Sequence, residues 1–305
     1  MYKILKSTST GMDELDLTQL EKGSWIDVVA PDNDELKTLA AATRIPLDFL
    51  TAPLDREEKS RVEIDEGCLL VLIDIPFFRS NKDYETMPLG IIATPDYLVT
   101  LCLEANAVTV DFNNNSSRTF NTMKRTRFLF QILYKSATLY LKYIRNIMKR
   151  TDDLEQHLRQ SMENAQLISM LDLQKSLTYF TTSLKSDYMV TEKLLRLRTT
   201  AQSQKLVRLY EEDEDLLEDV IVEYKQAIEM VEMYGHILNS MMEVFATIIS
   251  NNLKLVMRFL ASITIVLAIP TLISGLCGVN VPVPFAGISS GLSLVLFLAL
   301  TVRLL

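Results

Sequence analysis

The stretch FLASITIVLAIPTLISGLCGVN, residues 259–280, contains nineteen uncharged residues in succession before it ends at Gly278-Val279-Asn280. A helix needs about twenty predominantly apolar residues to cross the hydrocarbon core of a bilayer. A second uncharged run of similar length, residues 285–302, follows two prolines, which cannot continue a helix. The sequence therefore predicts two C-terminal membrane spans joined by a tight turn.

Upstream of the first predicted span, apolar residues recur with alternating spacings of four and three residues. This row comprises Val220, Tyr224, Ala227, Val231, Tyr234, Leu238, Met241, Phe245 and Ile248. A second apolar row comprises Ile221, Ile228, Met242, Ile249 and Val256. Heptad rows predict helices packed side by side, and two rows predict more than one neighbour. We therefore expect a stalk helix that begins near Glu212, continues into the first span and assembles with other copies of the chain.

Basic residues near the two predicted spans indicate how they cross the membrane. Lys254 and Arg258 precede the first span and Arg303 follows the second, whereas the turn between the spans has no Lys or Arg. Because basic residues remain preferentially on the cytoplasmic side, both chain termini are predicted to be cytoplasmic. No apolar run follows the first six residues, and no signal peptide is therefore predicted.

The part of the chain before the stalk is predicted to contain an α/β domain and a helical hairpin. Apolar runs of strand length begin at Trp25, Cys68, Gly90 and Tyr97. Helices are predicted over residues 35–43, 126–162 and 165–198, with a polar linker at 111–122 and a break at 199–203. The four predicted parts are residues 1–117 (N-terminal α/β domain), 118–202 (helical hairpin), 203–258 (stalk helix) and 259–305 (transmembrane hairpin).

The composition excludes several classes of function. A net charge of −8 argues against a nucleic-acid-binding face. The three cysteines, Cys68, Cys102 and Cys277, have neither a disulfide nor a zinc-site spacing, and the two histidines are far apart. The sequence contains no phosphate-binding glycine loop and no nucleophile motif, so it predicts neither an enzyme nor an organic cofactor.

The order of these features, closed by Gly278-Val279-Asn280, resembles the CorA-type magnesium/divalent-cation channel family, whose signature at this place is Gly-Met-Asn. Residues 269–275 and Val256-Met257-Arg258 also match that family, and the strand at Trp25 and the basic segment 59–63 match it more loosely. The resemblance implies an α+β cytoplasmic domain, a long stalk helix and two C-terminal transmembrane helices in a homo-oligomeric, pentameric channel. It also implies a protein of the inner or plasma membrane that transports Mg2+ and has Mg2+ as a candidate regulatory ion.

Three departures from the family pattern leave the transported ion open. Val279 replaces the Met of the signature, the turn after Asn280 lacks the acid that many members carry, and Lys254 stands where many members have Asn. A zinc or broad-specificity divalent-cation transporter is the alternative within transport. A membrane-anchored coiled-coil scaffold that conducts nothing is the alternative from another class.

One face of the first predicted span carries small or polar residues at helical spacing, which are Met257, Ala261, Thr264, Ala268, Thr271, Gly275 and Gly278. Small residues also let membrane helices pack closely, but the two hydroxyls and the alignment with Asn280 favour a pore face. The resemblance adds Leu260 as a candidate gate residue. The resemblance assigns the selectivity filter to Gly278, Val279 and Asn280. The chemistry agrees, because a ring of neutral Asn280 amides can hydrogen-bond to hydrated Mg2+ without trapping it. Asn252 either sets the register of the first apolar row, which we call the stalk seam, or forms a polar ring at the cytoplasmic mouth of the pore.

Acidic residues near the start of the stalk are candidate regulatory metal ligands. An acidic run at 211–215 is followed by the three candidates Glu218, Asp219 and Glu223. Acids near a helix start interact favourably with the helix dipole, so a solvated acidic face is the simpler interpretation. The resemblance implies instead that cytoplasmic Mg2+ bridges Asp219 to the N-terminal domain of a neighbouring subunit. The matching segment of that domain contains Asp48, Thr51 and Asp55.

The substitution Asn280→Ala is expected to abolish or strongly reduce divalent-cation flux and to leave assembly intact. The amide ring would be lost, whereas the stalk seam would be unchanged. Flux into proteoliposomes and the oligomeric state in detergent measure the two effects. Wild-type flux in this variant would rule out the Asn280 ring as the filter.

Overall fold

The computed structural model describes residues 2–8, 11–79, 84–114, 120–160, 164–197 and 210–277. The chain divides into two compact units, Met1–Ser240 and Met241–Leu305. The Gly278-Val279-Asn280 turn, the second predicted span and the predicted break at 199–203 lie outside the described residues. The division into four parts therefore stays a prediction.

The first unit contains a mixed seven-stranded sheet. Its strands are β1 (Tyr2–Ser7), β2 (Met12–Leu15), β3 (Trp25–Val29), β4 (Arg61–Asp65), β5 (Cys68–Phe78), β6 (Tyr84–Ala93) and β7 (Leu98–Cys102). Their order across the sheet is β2-β1-β3-β7-β6-β5-β4. Strands β3 and β7 pair in parallel, and the other neighbours pair antiparallel.

The four strands predicted from apolar runs are confirmed as β3, β5, β6 and β7, whereas β1, β2 and β4 were not predicted. Strands β2 and β4 form the two edges of the sheet. An edge strand has a partner on one side only, and its sequence is correspondingly polar, as in Arg61–Asp65. Residues 61–65 nevertheless alternate charged and apolar side chains, a strand signal that was not used in the prediction.

Six α-helices accompany the sheet in the described part of the chain. They are α1 (Asn33–Thr43), α2 (Leu47–Thr51), α3 (Ala107–Asn114), α4 (Arg125–Gln160), α5 (Asn164–Leu197) and α6 (Glu211–Cys277). Helix α1 begins with a capping box, in which the Asp32 side chain accepts hydrogen bonds from the backbone N–H groups of Asp34 and Glu35, and the Glu35 side chain accepts one from the Asp32 backbone N–H. The two long helices predicted before the stalk are confirmed as α4 and α5.

The polar linker predicted at 111–122 is wrong in part, because α3 continues to Asn114. The reason is tertiary packing, since Phe112 of α3 contacts Trp25 of β3 edge to face, with 6.5 Å between the ring centroids. Trp25 is fully buried and also contacts Phe120 and Phe128, and its indole N–H donates a 2.8 Å hydrogen bond to Thr100. A buried aromatic contact outweighs the weak helix propensity of the neighbouring asparagines.

Helices cover both faces of the sheet. Side chains of β3, β5 and β7 form one apolar cluster with α1 and α2. On the opposite face, α4 and α5 lie against β5 and β6. Burial on both faces explains why the central strands are near-continuous apolar runs rather than alternating ones.

The first apolar row of the stalk is buried inside the single chain. Its fully buried members in the first unit are Val220, Tyr224, Ala227, Val231 and Leu238. Ion pairs hold α6 to its neighbours, with Arg127 of α4 at 2.7 Å from Glu212 and Lys185 of α5 at 2.6 Å from Glu232. The expectation that this row contacts other copies is therefore corrected, because α4 and α5 of the same chain bury it. Apolar residues at alternating spacings of four and three indicate that a helix packs against another helix. They do not indicate whether that second helix belongs to the same chain or to another copy.

The second unit contains the last part of α6, which matches the first predicted membrane span. Within the described residues, this helix includes an 18-residue window of mean hydropathy 2.1 in which no residue is buried. All residues from 250 to 268 are exposed. A core helix of similar composition would be covered by protein, so length, composition and exposure together fit a helix that crosses a membrane.

The substitution Val220→Asp is expected to destabilise the first unit by several kcal/mol, because it places an unpaired charge in a fully buried site. Val222, which lies two residues further along α6 and is 61 % exposed, supplies the matched control. Val222→Asp should change the stability by less than about 1 kcal/mol. Thermal unfolding followed by circular dichroism measures both, and equal shifts would contradict the burial of this row.

Candidate functional site

The residues predicted to line the pore lie on the exposed last part of α6. The exposed members are Asn252, Met257, Leu260, Thr264, Ala268, Thr271 and Gly275. Phe259 and Val266, on the opposite side of the helix, are also exposed. Exposure in a single chain therefore does not separate a pore face from a lipid face, and the pore assignment stays a prediction.

The two threonines of this face donate hydrogen bonds to their own helix. Thr264 Oγ1 donates to the Leu260 carbonyl oxygen at 2.8 Å, and Thr271 Oγ1 donates to that of Leu267 at 2.9 Å. Each hydroxyl hydrogen is thereby directed at the backbone, and the oxygen keeps lone pairs that can accept hydrogen bonds. Such an oxygen is suited to the water shell of a cation, because Mg2+ gives up its bound water reluctantly.

Asn252 does not share the face of these threonines. Five residues separate it from Met257, which places it about 140° around a helix of 3.6 residues per turn. It lies instead about 20° from the line of Phe245, a buried member of the seam. The geometry places Asn252 in register with the seam, and the two interpretations of its role both remain open.

The candidate regulatory acids lie at the surface of the first unit. Glu218 and Asp219 are exposed and Glu223 is half-buried. The N-terminal candidates Asp48, Thr51 and Asp55 are exposed as well. Within the described ranges, no three or more His, Cys, Asp or Glu side chains are arranged to hold a metal ion. The regulatory metal bridge at these acids therefore stays a prediction.

Two acids of the run at 211–215 have a structural role that the sequence did not reveal. Arg127 of α4 lies 2.7 Å from the carboxylate of Glu212 and 3.9 Å from that of Asp213. Asp213 is only 4 % exposed, and its side chain also accepts a 3.3 Å hydrogen bond from the backbone N–H of Tyr210. The interpretation as a solvated face is therefore wrong for Asp213, which helps to fix the start of α6 against α4.

A buried polar cluster, which we call the Asp187 cluster, lies where β5, α4 and α5 meet. Its hydrogen-bonded members are Ser60, Asp74, Tyr140, Ser183 and Asp187. Asp187 Oδ1 accepts hydrogen bonds from the Ser60 hydroxyl and from the Asp74 backbone N–H, both at 2.9 Å. The Asp74 carboxylate accepts one from Ser183 at 2.8 Å, and burial raises the pKa of Asp74. The Tyr140 hydroxyl donates to the Asp74 carbonyl oxygen at 3.0 Å.

This cluster was not predicted from the sequence, although α5 carries a signal for it. The buried row of α5 contains Leu173, Leu177, Phe180, Leu184, Asp187, Thr191 and Leu194. Asp187 is the acid in a row that otherwise has apolar or hydroxyl side chains. An acid at a core position of an amphipathic helix indicates a buried carboxyl with specific partners.

Comparison with known proteins places this architecture in a family. The family of CorA-like Mg2+ transporter proteins matches residues 21–305. The cobalt/magnesium transport protein CorA of Methanocaldococcus jannaschii is 27 % identical over 290 residues, which cover 91 % of this chain and 86 % of that protein.

Two solved structures from Methanocaldococcus jannaschii have a similar fold. The complete structure of its CorA magnesium transporter has a TM-score of 0.82 at 24 % identity and covers 99 % of this chain and 94 % of that one. The soluble domain of CorA has a TM-score of 0.70 at 25 % identity and covers 81 % of this chain and 97 % of that one. These likenesses confirm the α/β domain followed by a long C-terminal helix.

The double substitution of Asp219 by Asn and Glu223 by Gln tests the regulatory acids. If they bind Mg2+ between subunits, the concentration of internal Mg2+ that protects the protein from protease should rise about tenfold or more, because carboxylate ligands are lost. Glu229→Gln, an exposed acid on the same helix outside the candidate set, is the control. Titrations of protection and of flux that superimpose on the wild type would exclude a sensor at Asp219 and Glu223.

Proposed function

Because the chain belongs to the family of CorA-like Mg2+ transporter proteins, we propose that it is a divalent-cation channel that carries Mg2+ across the inner or plasma membrane. The family consists of membrane transporters rather than enzymes, in agreement with the sequence analysis. In this proposal the first membrane span lines the pore of a homo-oligomer of five copies, and the second span forms an outer ring. Both chain termini are cytoplasmic.

The observation that supports the proposal most strongly is a pair of threonines on the proposed pore face of α6, whose hydroxyls donate to backbone carbonyl oxygens of the same helix. Thr264 and Thr271 are seven residues apart, so they lie about 20° from one line along the helix. In a ring of identical helices, each threonine would present a ring of acceptor oxygens to a hydrated cation. A mere membrane anchor needs no such alignment of polar acceptors.

The selectivity filter in this proposal is Gly278-Val279-Asn280. Mg2+ retains its water shell unless ideal oxygen ligands replace it, and neutral amides hold that shell more weakly than carboxylates. A ring of Asn280 side chains would therefore admit the hydrated ion and release it again. Val279 in place of the family Met keeps the position apolar. Met257 and Leu260, at the inner end of the same face, are the proposed narrow apolar gate, while Ala268 and Gly275 leave room for the ion.

The surface for self-assembly is the apolar part of α6 that its own chain leaves uncovered. The half-buried residues Ile221 and Ile228 belong to this surface. Its exposed members are Met233, Ile237 and Val244. Packing of neighbouring stalks through these side chains removes apolar area from water, which favours association.

Zinc or broad-specificity transport remains the alternative within the same class. The relative from Methanocaldococcus jannaschii is a cobalt/magnesium transport protein, so a series of cations is the appropriate test. A non-conducting scaffold, the alternative from another class, predicts no flux of any cation. Flux into proteoliposomes that contain the full chain, measured for Mg2+, Co2+, Ni2+ and Zn2+, separates the three.

Isosteric changes at the pore face test the proposed site. Thr264→Val and Thr271→Val should each reduce Mg2+ flux about fivefold, because a hydrogen bond to the hydrated ion is worth about 1 kcal/mol. Ser262 makes the same kind of hydrogen bond, to the Arg258 carbonyl oxygen at 2.9 Å, but it lies off this face, so Ser262→Ala is the control. Equal effects of all three changes would place the pore on another face of α6.

A further inference from the structure

Strand β4 (Arg61–Asp65) has one open edge. Within the described residues it lies at the end of the sheet and pairs with β5 alone. The turn from β4 to β5 consists of Glu66 and Gly67, which both have positive φ, as in a two-residue hairpin. Such a turn closes with a hydrogen bond between its flanking residues, and hydrogen-bonded pairs alternate with unbonded pairs along an antiparallel ladder. Counted back from the turn, Val62 and Ile64 are in unbonded pairs, so their N–H and C=O groups point away from β5.

A contact from α5 agrees with this orientation. The Lys193 ammonium donates a 2.7 Å hydrogen bond to the Val62 carbonyl oxygen, which places that oxygen on the open side of β4. No residue in the described ranges forms a hydrogen bond with the N–H or C=O group of Ile64. Such unpaired backbone groups at the edge of a sheet can form hydrogen bonds with an added strand.

A groove, which we call the β4 groove, lies between this open edge and α5. It meets β4 at Ser60, Arg61 and Val62, and the open edge continues beyond it to Ile64. Its volume of about 470 Å³ is within the range of about 300–1,000 Å³ that is usual for ligand sites. On the α5 side its apolar lining includes Tyr188, Met189 and Val190. Met189 is 70 % exposed, so the described part of the chain leaves a large apolar side chain uncovered beside the edge.

The charges along the β4 groove favour an acidic partner. Its lining contains three basic side chains and one acidic side chain. Two of the basic side chains are paired within the chain, Arg61 with Glu58 and Glu63, and Arg196 with Glu192. The described residues offer Lys193 no carboxylate partner, and its ammonium has three donors, of which the Val62 carbonyl oxygen uses one. A carboxylate that enters the groove can therefore pair with a cation that is not yet neutralised.

We propose that the β4 groove is a docking site for an extended peptide in which apolar and acidic residues alternate, and that this peptide adds a strand to β4. The peptide backbone bonds to the outward groups of Val62 and Ile64. Because alternate side chains of a strand lie on one face, its apolar side chains pack together against Met189. Lys193 releases the Val62 carbonyl oxygen to the peptide backbone and pairs with an acidic side chain. Until then, the lysine protects the edge from unspecific strand pairing.

This docking site is independent of the proposed transport function. Neither the proposed pore face nor the stalk helix contributes a residue to the groove. Peptide binding is measured without any flux, so the two proposals fail separately. A protein that conducts cations and binds no peptide refutes the docking site alone, and one that binds the peptide without cation flux refutes the channel alone.

Fluorescence anisotropy with a synthetic peptide tests the docking site. The probe is a hexapeptide of alternating Val and Glu with fluorescein at its N-terminus, titrated with the full-length protein in detergent without divalent cations. We expect saturable binding. The same peptide with Lys in place of Glu should bind at least about tenfold more weakly, because Lys193 repels it. Absence of binding of the Val/Glu peptide up to about 0.1 mM protein, or equal binding of the two peptides, overturns the proposal.

N-methylated peptides test strand addition without any change to the protein. Successive N–H groups of a strand point to opposite sides. Methylation of the second and fourth nitrogens of the Val/Glu peptide therefore blocks one of its edges, and methylation of the third and fifth blocks the other. One of these peptides should bind about fivefold or more weakly than the other, because it cannot donate hydrogen bonds to β4. Equal affinities would show that the peptide backbone does not pair with the sheet.

Proline at position 64 removes one outward N–H group from β4. The ladder with β5 does not use this group, and proline is tolerated on edge strands at such positions. Ile64→Pro should weaken binding of the Val/Glu peptide about fivefold, whereas Ile64→Val, which keeps the N–H group, should bind it like the wild type. Circular dichroism verifies the fold of both variants. An unchanged affinity in Ile64→Pro overturns strand addition. A changed oligomeric state of the folded variant would show that this edge joins two copies of the chain, and it also overturns the peptide site.

A charge exchange at Lys193 tests the preference for acidic residues, and it stays informative if Ile64→Pro does not fold. Lys193→Glu should weaken binding of the Val/Glu peptide at least about tenfold and strengthen binding of the Val/Lys peptide. Lys175→Glu, at an exposed position of the same helix outside the groove, is the control and should leave both affinities unchanged. Effects of the same size in both variants would reflect only the overall charge of the protein and would overturn the proposal.

Discussion

The continuity of α6 is the constraint on which the rest of the structure depends. This helix begins with ion pairs to Arg127, buries an apolar row against its own chain, exposes residues 250–268 and continues to Cys277. In a bilayer no water is available to bond backbone groups, and a helix is one of the few structures that satisfy them internally. The first part of the helix therefore packs against its own chain, and residues 250–268 are exposed. The first part has a buried apolar row among charged residues, and residues 259–277 carry no charge.

The elements with strong periodicity were predictable from the sequence, and the weakly patterned ones were not. The runs that became β5 and β6 are buried on both faces, and α4 and α5 have long amphipathic patterns, so local sequence and final structure agree. The edge strand β4 alternates charged and apolar residues over only five positions, so its short pattern went unpredicted, and its pairing with β5 is a property of the whole sheet. Helix α3 was missed because Phe112 is stabilised by Trp25, a residue far away in the sequence.

The site was predictable to a similar degree. The pore-face residues were recognised from their spacing along α6, but spacing cannot say what surrounds a helix. For the same reason the heptad row was assigned to other copies when α4 and α5 of the same chain cover it. Asp213 and Asp187 show a second limit, because an acid in a sequence looks exposed until its burial and its partners are known. Asp187 interrupts an apolar row, whereas nothing in the acidic run singles out Asp213.

The position of Trp25 has a spectroscopic consequence. It is the one tryptophan of the chain, and it is fully buried among Phe112, Phe120 and Phe128. Because the indole is shielded from water, its fluorescence emission maximum should lie at a short wavelength in the folded protein and shift to a longer wavelength when the sheet unfolds. Neither predicted membrane span contains a tryptophan. Intrinsic fluorescence of this protein therefore reports on the sheet and its covering helices, and lipid or detergent around the spans should leave the signal unchanged.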